Sequence, residues 1–252
     1  MLDQLRPIGL AELVERAALL TRRDRKYVLP AADLPALLHG LGPDVRILQI
    51  EGRREFGYRS DYFDTSTLDS YLATARGRRR RFKVRIREYV DTGGHFLEVK
   101  TQQRRGDTVK YRFPYPDGGM HDLDASAYAH IDAVLPGHGR RPMDRVLVTH
   151  YQRATLFIPA SGGRVTIDTE LSFALPDGSG VRMPDRAVVE TKSPGASASA
   201  VDRLLWSLGH RPCALSKFGT GLAVLRPDLP ANRWHPVLSR HLSPMTIDRS
   251  YS

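Results

Sequence analysis

The sequence predicts a β-rich α+β fold: an antiparallel sheet closed into a β-barrel, with a charged lumen and flanking helices. Three observations predict it. From Arg79 onward the chain runs in short alternating segments. Turn signals break them at Asp91-Thr92-Gly93-Gly94, Arg105-Gly106-Asp107, Pro116-Asp117-Gly118-Gly119, Ser161-Gly162-Gly163 and Pro176-Asp177-Gly178, as in hairpin-linked strands. Several of these segments carry charge on one face only, and amphipathic segments elsewhere are available to cover the opposite, apolar faces.

Taken in order, Ile8, Leu10, Leu13, Ala17 and Leu20 recur at helical spacing and predict an amphipathic helix over 8–20. Residues 31–41 predict a second, with Asp33 as its cap, Pro35 in its first turn and Gly40 and Gly42 at its end. An extended segment over Arg54–Asp64 leads to a short helix over Thr65–Thr74, which Asp64 and Thr65 would cap. Residues 122–134 and 198–208 again read as helices. The tail from Pro227, rich in Pro, Arg, His and Ser, reads as irregular. No linker divides the chain. The expected organisation is an N-terminal amphipathic helix over 1–20, one domain over 21–226 and an irregular extension over 227–252.

Composition narrows the chemistry. The 252 residues include 38 Lys+Arg against 28 Asp+Glu, a formal net charge of +10 that calls for an anionic partner. The lone Cys213 excludes a disulfide framework and an all-cysteine zinc site. The nine histidines lack metal-ligand spacing. No apolar run has the length of a membrane span and no leader pattern opens the sequence, so a cytoplasmic setting is expected.

The placement of the charges says more. Successive strand residues point to opposite faces. Arg81, Lys83, Arg85 and Arg87 therefore share one face and Phe82, Val84 and Ile86 the other. Glu98 and Lys100 oppose Leu97 and Val99, and Lys110 and Arg112 oppose Val109, Tyr111 and Phe113. Tyr151 and Arg153 share a face, Asp168 and Glu170 oppose Ile167 and Leu171, and Glu190 shares a face with Lys192. A solvated outer face explains any one of these strands. The set, with Arg, Lys and carboxylate in the same alternation, points to a polar lumen. Arginine forks and lysine point charges hold phosphate. Carboxylates among them repel phosphate unless a divalent cation bridges the two, which suggests Mg²⁺ or Mn²⁺.

At these residues the chain resembles a known family. The series Asp24-Arg25-Lys26-Tyr27, Ser60-Asp61-Tyr62-Phe63-Asp64-Thr65, Lys83-Val84-Arg85-Ile86-Arg87, Phe96-Leu97-Glu98-Val99-Lys100, Tyr151-Gln152-Arg153, Thr166-Ile167-Asp168, Glu190-Thr191-Lys192 and Leu215-Ser216-Lys217-Phe218 resembles the VTC domain. That is the polyphosphate polymerase branch of the triphosphate tunnel metalloenzymes, a CYTH-like superfamily. The resemblance spans roughly residues 20–225. It implies a tunnel in which basic side chains grip a triphosphate beside a metal-holding acid. In this branch the implied reaction moves the γ-phosphate of ATP onto a growing polyphosphate chain. Where the CYTH signature has two acids, Arg22 and Asp24 stand, which favours the VTC branch.

The expected roles follow. Arg85, Arg87, Lys100, Arg153 and Lys217 hold the β- and γ-phosphates, with Lys26 near the mouth and Lys83 and Lys192 on the same faces. Lys110 and Arg112 contact the acceptor. Glu190 is the first metal ligand, with Glu98, Asp168 and Glu170 as secondary ones. Arg85, Arg87, Lys217 and Glu190 carry catalysis. Alternatives of other kinds are a triphosphate or polyphosphate hydrolase of the same fold, a binding module without turnover, and a nucleic-acid binder using Arg78–Arg87. The resemblance also implies that any membrane link comes from a separate membrane protein partner. Gly219 and Gly221 lack a Walker A pattern and read as a turn.

Overall fold

The computed structural model describes residues 2–17, 22–102, 108–116, 121–138, 141–195 and 197–242. The strands in chain order are β1 (Arg6–Ile8), β2 (Arg22–Pro30), β3 (Arg46–Leu48), β4 (Glu55–Asp64), β5 (Arg81–Tyr89), β6 (His95–Gln102), β7 (Thr108–Tyr115), β8 (Asp144–Ile158), β9 (Gly163–Ala174), β10 (Gly180–Met183) and β11 (Arg186–Pro194). The helices are α1 (Leu10–Arg16), α2 (Leu34–Gly40), α3 (Asp69–Ala75), α4 (Ala125–Val134), α5 (Ala200–Ser207), α6 (Lys217–Leu225) and α7 (His235–His241). No helix among the described residues is long and apolar enough to cross a membrane.

The main sheet runs β2-β11-β9-β8-β4-β5-β6-β7, with antiparallel neighbours throughout. The closed barrel that the sequence predicts does not form a continuous ladder. Among the described residues β2 and β7 are the two ends of this path and do not pair, so the hydrogen-bonded ladder stays open. The sheet still curls enough for Lys26 of β2 to line the same cavity as Lys83 of β5 and Lys100 of β6. The right-handed twist of long antiparallel strands accounts for such curling without closure.

Helices occupy part of the concave side. Phe218 and Leu222 of α6 join Tyr62, Tyr151, Leu171 and Phe173 in one buried cluster. The convex side is covered in two places: Tyr27, Leu29, Ile167 and Val189 pack with Leu37 and Leu205, and Val84, Ile86 and Val99 pack with Ala127 and Ile131. The expected turn at Gly219 and Gly221 is instead the middle of α6. The glycines are needed for close approach. A Cβ at Gly219 would overlap the Trp234 ring, and one at Gly221 would meet the Phe173 ring at 2.5 Å. Gly219→Ala is expected to destabilise the protein by about 1–3 kcal/mol through overpacking, read as a lower urea midpoint. An unchanged midpoint would show that Trp234 gives way freely.

The tail past Pro227, expected to be irregular, carries α7, and Trp234, Val237 and Leu242 are buried in the α6 cluster. The N-terminal helix is shorter than the expected 8–20. It covers Leu10–Arg16, and the preceding Arg6–Ile8 pairs in parallel with β3; residues 18–20 lie outside the described residues. Asp33 makes no cap hydrogen bond at α2; its carboxylate lies 3.3 Å from His210 Nε2. Asp64 does serve α3: its buried carboxylate accepts from the backbone N–H of Thr65, Ser70 and Tyr71 at 2.8–3.0 Å. Burial pushes Asp64 up to about 6 against those three bonds.

Candidate functional site

The register sets many of the predicted strand residues of the lumen beside one another. Lys83 stands opposite Lys100, and Lys100 opposite Lys110, so three lysines occupy one row across β5, β6 and β7. One position along, Arg85, Glu98 and Arg112 form the next row. On the other half, Lys26 opposes Glu190, and Arg153 opposes Asp168. Directly opposed like charges weaken a sheet. Lys110 is compensated by Glu98 at 2.5 Å, whereas the facing ammonium groups of Lys83 and Lys100 favour an added anion in the cavity they line.

Two carboxylates organise the deeper cations. Asp168 accepts from Arg153 Nε and Nη2 at 2.6 and 2.8 Å and also meets Lys217, the first residue of α6. Burial works against its charge, but Arg153 and Lys217 outweigh it and hold the carboxyl down at about 2. Glu98 takes Arg85 on one oxygen at 2.5 and 2.8 Å and Lys110 on the other at 2.5 Å, with Arg87 at 3.8 Å. Here too burial is overcome, by Arg85, Arg87 and Lys110, and Glu98 stays well below the usual carboxylate range. Glu190 has Lys192 at 3.5 Å. Against burial, Lys26, Lys192, Arg153 and Lys217 hold it low as well.

Tyrosines complete the wall, and the sequence reading gave them no role. Arg85 donates to the Tyr62 hydroxyl at 3.0 Å. Arg153 lies over Tyr58 and Tyr151, and Lys217 over Tyr151 at 4.3 Å. The Tyr151 hydroxyl is buried without a hydrogen-bond partner among the described residues, as a group waiting for a ligand oxygen would be. The shared face of Tyr151 and Arg153 was the available signal. Ser216 was also missed: its hydroxyl accepts from Lys83 Nζ at 2.7 Å and from the Gly219 N–H, capping α6.

A cavity of about 290 Å³ opens beside the lysine row, with Lys26, Lys83, Lys100 and Ser216 in its lining. Burial, together with Lys26, Lys100, Arg85 and Arg81, pushes the Lys83 ammonium well below its ordinary value. Arg112 is exposed, its guanidinium stacked 3.6 Å over Phe96, at the end of the face away from this cavity.

Glu170 is not in the site, which corrects its place among the metal candidates. A bulge in β9 sets both Glu170 and Leu171 against the single residue Tyr151. Glu170 takes φ +51 and turns outward, 3.9 Å from Arg182, while Leu171 turns into the concave core. The period-2 alternation shifts phase at an extra residue. The remaining acids fit a cation in one way only. Among the described residues no three metal-ligating side chains converge, which excludes a cage made of protein alone there. Mg²⁺ and similar ions also bind through one or two carboxylates plus substrate phosphates. Glu190 suits that mode, because its closest cation is a lysine at 3.5 Å, whereas Glu98 and Asp168 are closely held by arginine.

The model of the VTC domain matches residues 21–226. The chain belongs to the VTC domain family. No curated protein matches it. Among solved structures it is similar to a candidate adenylate cyclase from Bacillus halodurans, at 13% identity and a TM-score of 0.50, covering 78% of this chain and 94% of that one. It is also similar to a candidate adenylyl cyclase from Hippeastrum, described as having a dominant triphosphatase activity, at 16% identity and a TM-score of 0.46, covering 83% and 98%. The Bacillus likeness shows the fold, the triphosphate tunnel fold expected for a VTC domain. Membership in the VTC family supports a polyphosphate-related function.

Proposed function

We propose that this VTC domain is a metal-dependent polyphosphate polymerase that transfers the γ-phosphate of ATP to a growing polyphosphate chain. The observation that carries the reading is the row of Lys83, Lys100 and Lys110, with Lys26 across the same cavity from the first two. Repulsion among those ammonium groups is relieved by a ligand of several linked negative charges. Phosphoryl transfer asks mainly for positioning and charge neutralisation. Arg85 and Arg87 grip the β- and γ-phosphates from one side, Arg153 and Lys217 from the other, and Lys100 and Lys26 line the path. Lys110 and Arg112 orient the acceptor, and Lys192 steadies Glu190. When bound, a divalent cation supplies further charge neutralisation at the γ-phosphate, and Glu190 is the residue that would hold it.

The carboxylates favour transfer to phosphate over transfer to water. Glu98, Asp168 and Glu190 all lie below their ordinary range, which makes them weak bases for activating water. A terminal phosphate oxygen of the acceptor is already anionic and needs no base. Membrane delivery of the product would require a separate membrane protein partner.

The test is to incubate the protein with ATP and Mn²⁺, with and without a short polyphosphate primer, and to follow ADP, free phosphate and polymer together. ADP with long polymer and little free phosphate is the expected result. Free phosphate without polymer would make the protein a triphosphatase. Bound but unreacted ATP or polyphosphate would make it a binding module, and no binding at all would end the tunnel reading.

A further inference from the structure

The arginine run Arg76–Arg81 stays outside the lumen network, yet it leads to its mouth. Helix α3 ends at Ala75, and Gly77, at φ +64, turns the chain toward β5. A Cβ on Gly77 would lie 3.9 Å from Arg233 Nη1. Arg76, Arg78, Arg79 and Arg80 are exposed. Arg81 begins β5 and donates to the Arg78 carbonyl at 3.2 Å. Arg81 and Arg233 also line the cavity of about 290 Å³ that holds Lys26, Lys83 and Lys100. Among the described residues, no carboxylate lines that cavity. None of these six arginines has an ion-pair partner there either. The contrast with the deeper cations is sharp: Arg85, Arg153 and Lys217 each contact a carboxylate. Burial and the neighbouring Arg233 both disfavour the charge on Arg81. The basic field is thus left uncompensated at one end of the site.

We infer that this arginine rim is the track for the part of a polyphosphate chain that extends beyond the lumen. Arg76, Arg78, Arg79 and Arg80 hold phosphates outside the mouth, and Arg81 and Arg233 pass the chain to Lys83 and Lys100. The inference rests on the polyphosphate reading above and adds a path for polymer that leaves the site at the cavity end, beyond Lys83 and Lys100. Single-stranded nucleic acid is disfavoured because its binding uses exposed aromatic stacking platforms. The two aromatic rings lining this cavity, Phe82 and Trp234, are buried.

The test compares wild type with the fourfold variant Arg76→Ser, Arg78→Ser, Arg79→Ser and Arg80→Ser. Binding of tripolyphosphate and of long-chain polyphosphate is measured over a range of salt. The variant is expected to bind the long chain at least about tenfold more weakly, with its log–log salt dependence reduced by about two to three. Its tripolyphosphate affinity should hardly change, and a fourfold Arg→Lys variant should keep the long-chain affinity. Equal long-chain binding by wild type and the serine variant would overturn the rim assignment. So would an equal loss for both ligands, or single-stranded RNA binding that exceeds long-chain binding and disappears in the serine variant. Wild type that binds neither phosphate ligand would instead defeat the polyphosphate reading itself.

Discussion

Arg153→Ala is expected to lower turnover on the order of 10³-fold, the scale of an arginine that stabilises charge in phosphoryl transfer. It is also expected to destabilise the protein by about 3–5 kcal/mol, the cost of breaking a buried ion pair from one side. Both effects have one origin. Arg153 makes two of the contacts to Asp168, which is 1% exposed, and Lys217 makes the third. Without the guanidinium, a buried carboxylate keeps one lysine. Arg153→Lys restores charge but not the planar fork, so it should recover part of the stability and little of the turnover. The pH dependence has a definite sign. The folded state holds Asp168 at about 2, below its ordinary 3.8. Its contribution to stability is present above the unfolded value and is lost as pH falls toward 2. The stability gap between wild type and Arg153→Ala should therefore narrow between about pH 4 and pH 2. Urea unfolding at neutral and acid pH, with initial rates, measures all of this. A variant with wild-type rate and midpoint would remove Arg153 from the site.

The second large effect is on turnover with binding preserved. Glu190→Gln should reduce the rate about 10²–10³-fold, the scale for losing one preorganised electrostatic group. Tripolyphosphate affinity should stay equal or rise, because Lys26, Lys192, Arg153 and Lys217 surround this carboxylate and its charge opposes theirs toward phosphate. The rate that remains should respond weakly to added Mn²⁺. Calorimetric binding alongside rates at several Mn²⁺ concentrations separates the two roles. An unchanged rate with the wild-type Mn²⁺ response would make Glu190 only a partner of Lys192.

Much of this site was legible in residue order. Alternation is a local property of extended backbone, so the common face of Lys83, Arg85 and Arg87 follows from spacing alone. The register adds which faces meet, setting Lys100 between Lys83 and Lys110 and Arg153 beside Asp168. The same rule failed for Glu170. The bulge there occurs at a non-glycine residue with φ +51, and the requirement comes from strand pairing rather than from local composition. Tyr58 and Tyr151 gained their roles only when β4 and β8 stacked the two rings 5.3 Å apart beneath Arg153.

The order of residues was thus sufficient for a β-rich chain with basic strand faces and for the short motifs that mark a VTC domain. Each of those depends on a residue and its near neighbours. Tertiary structure alone decided that, among the described residues, β2 and β7 do not pair, and that α6 packs on the concave side where Trp234 and Phe173 press on its glycines. It also brought Arg233 to the arginine loop. These depend on contacts between segments far apart in the chain, where packing and charge are settled only after the sheet has curled.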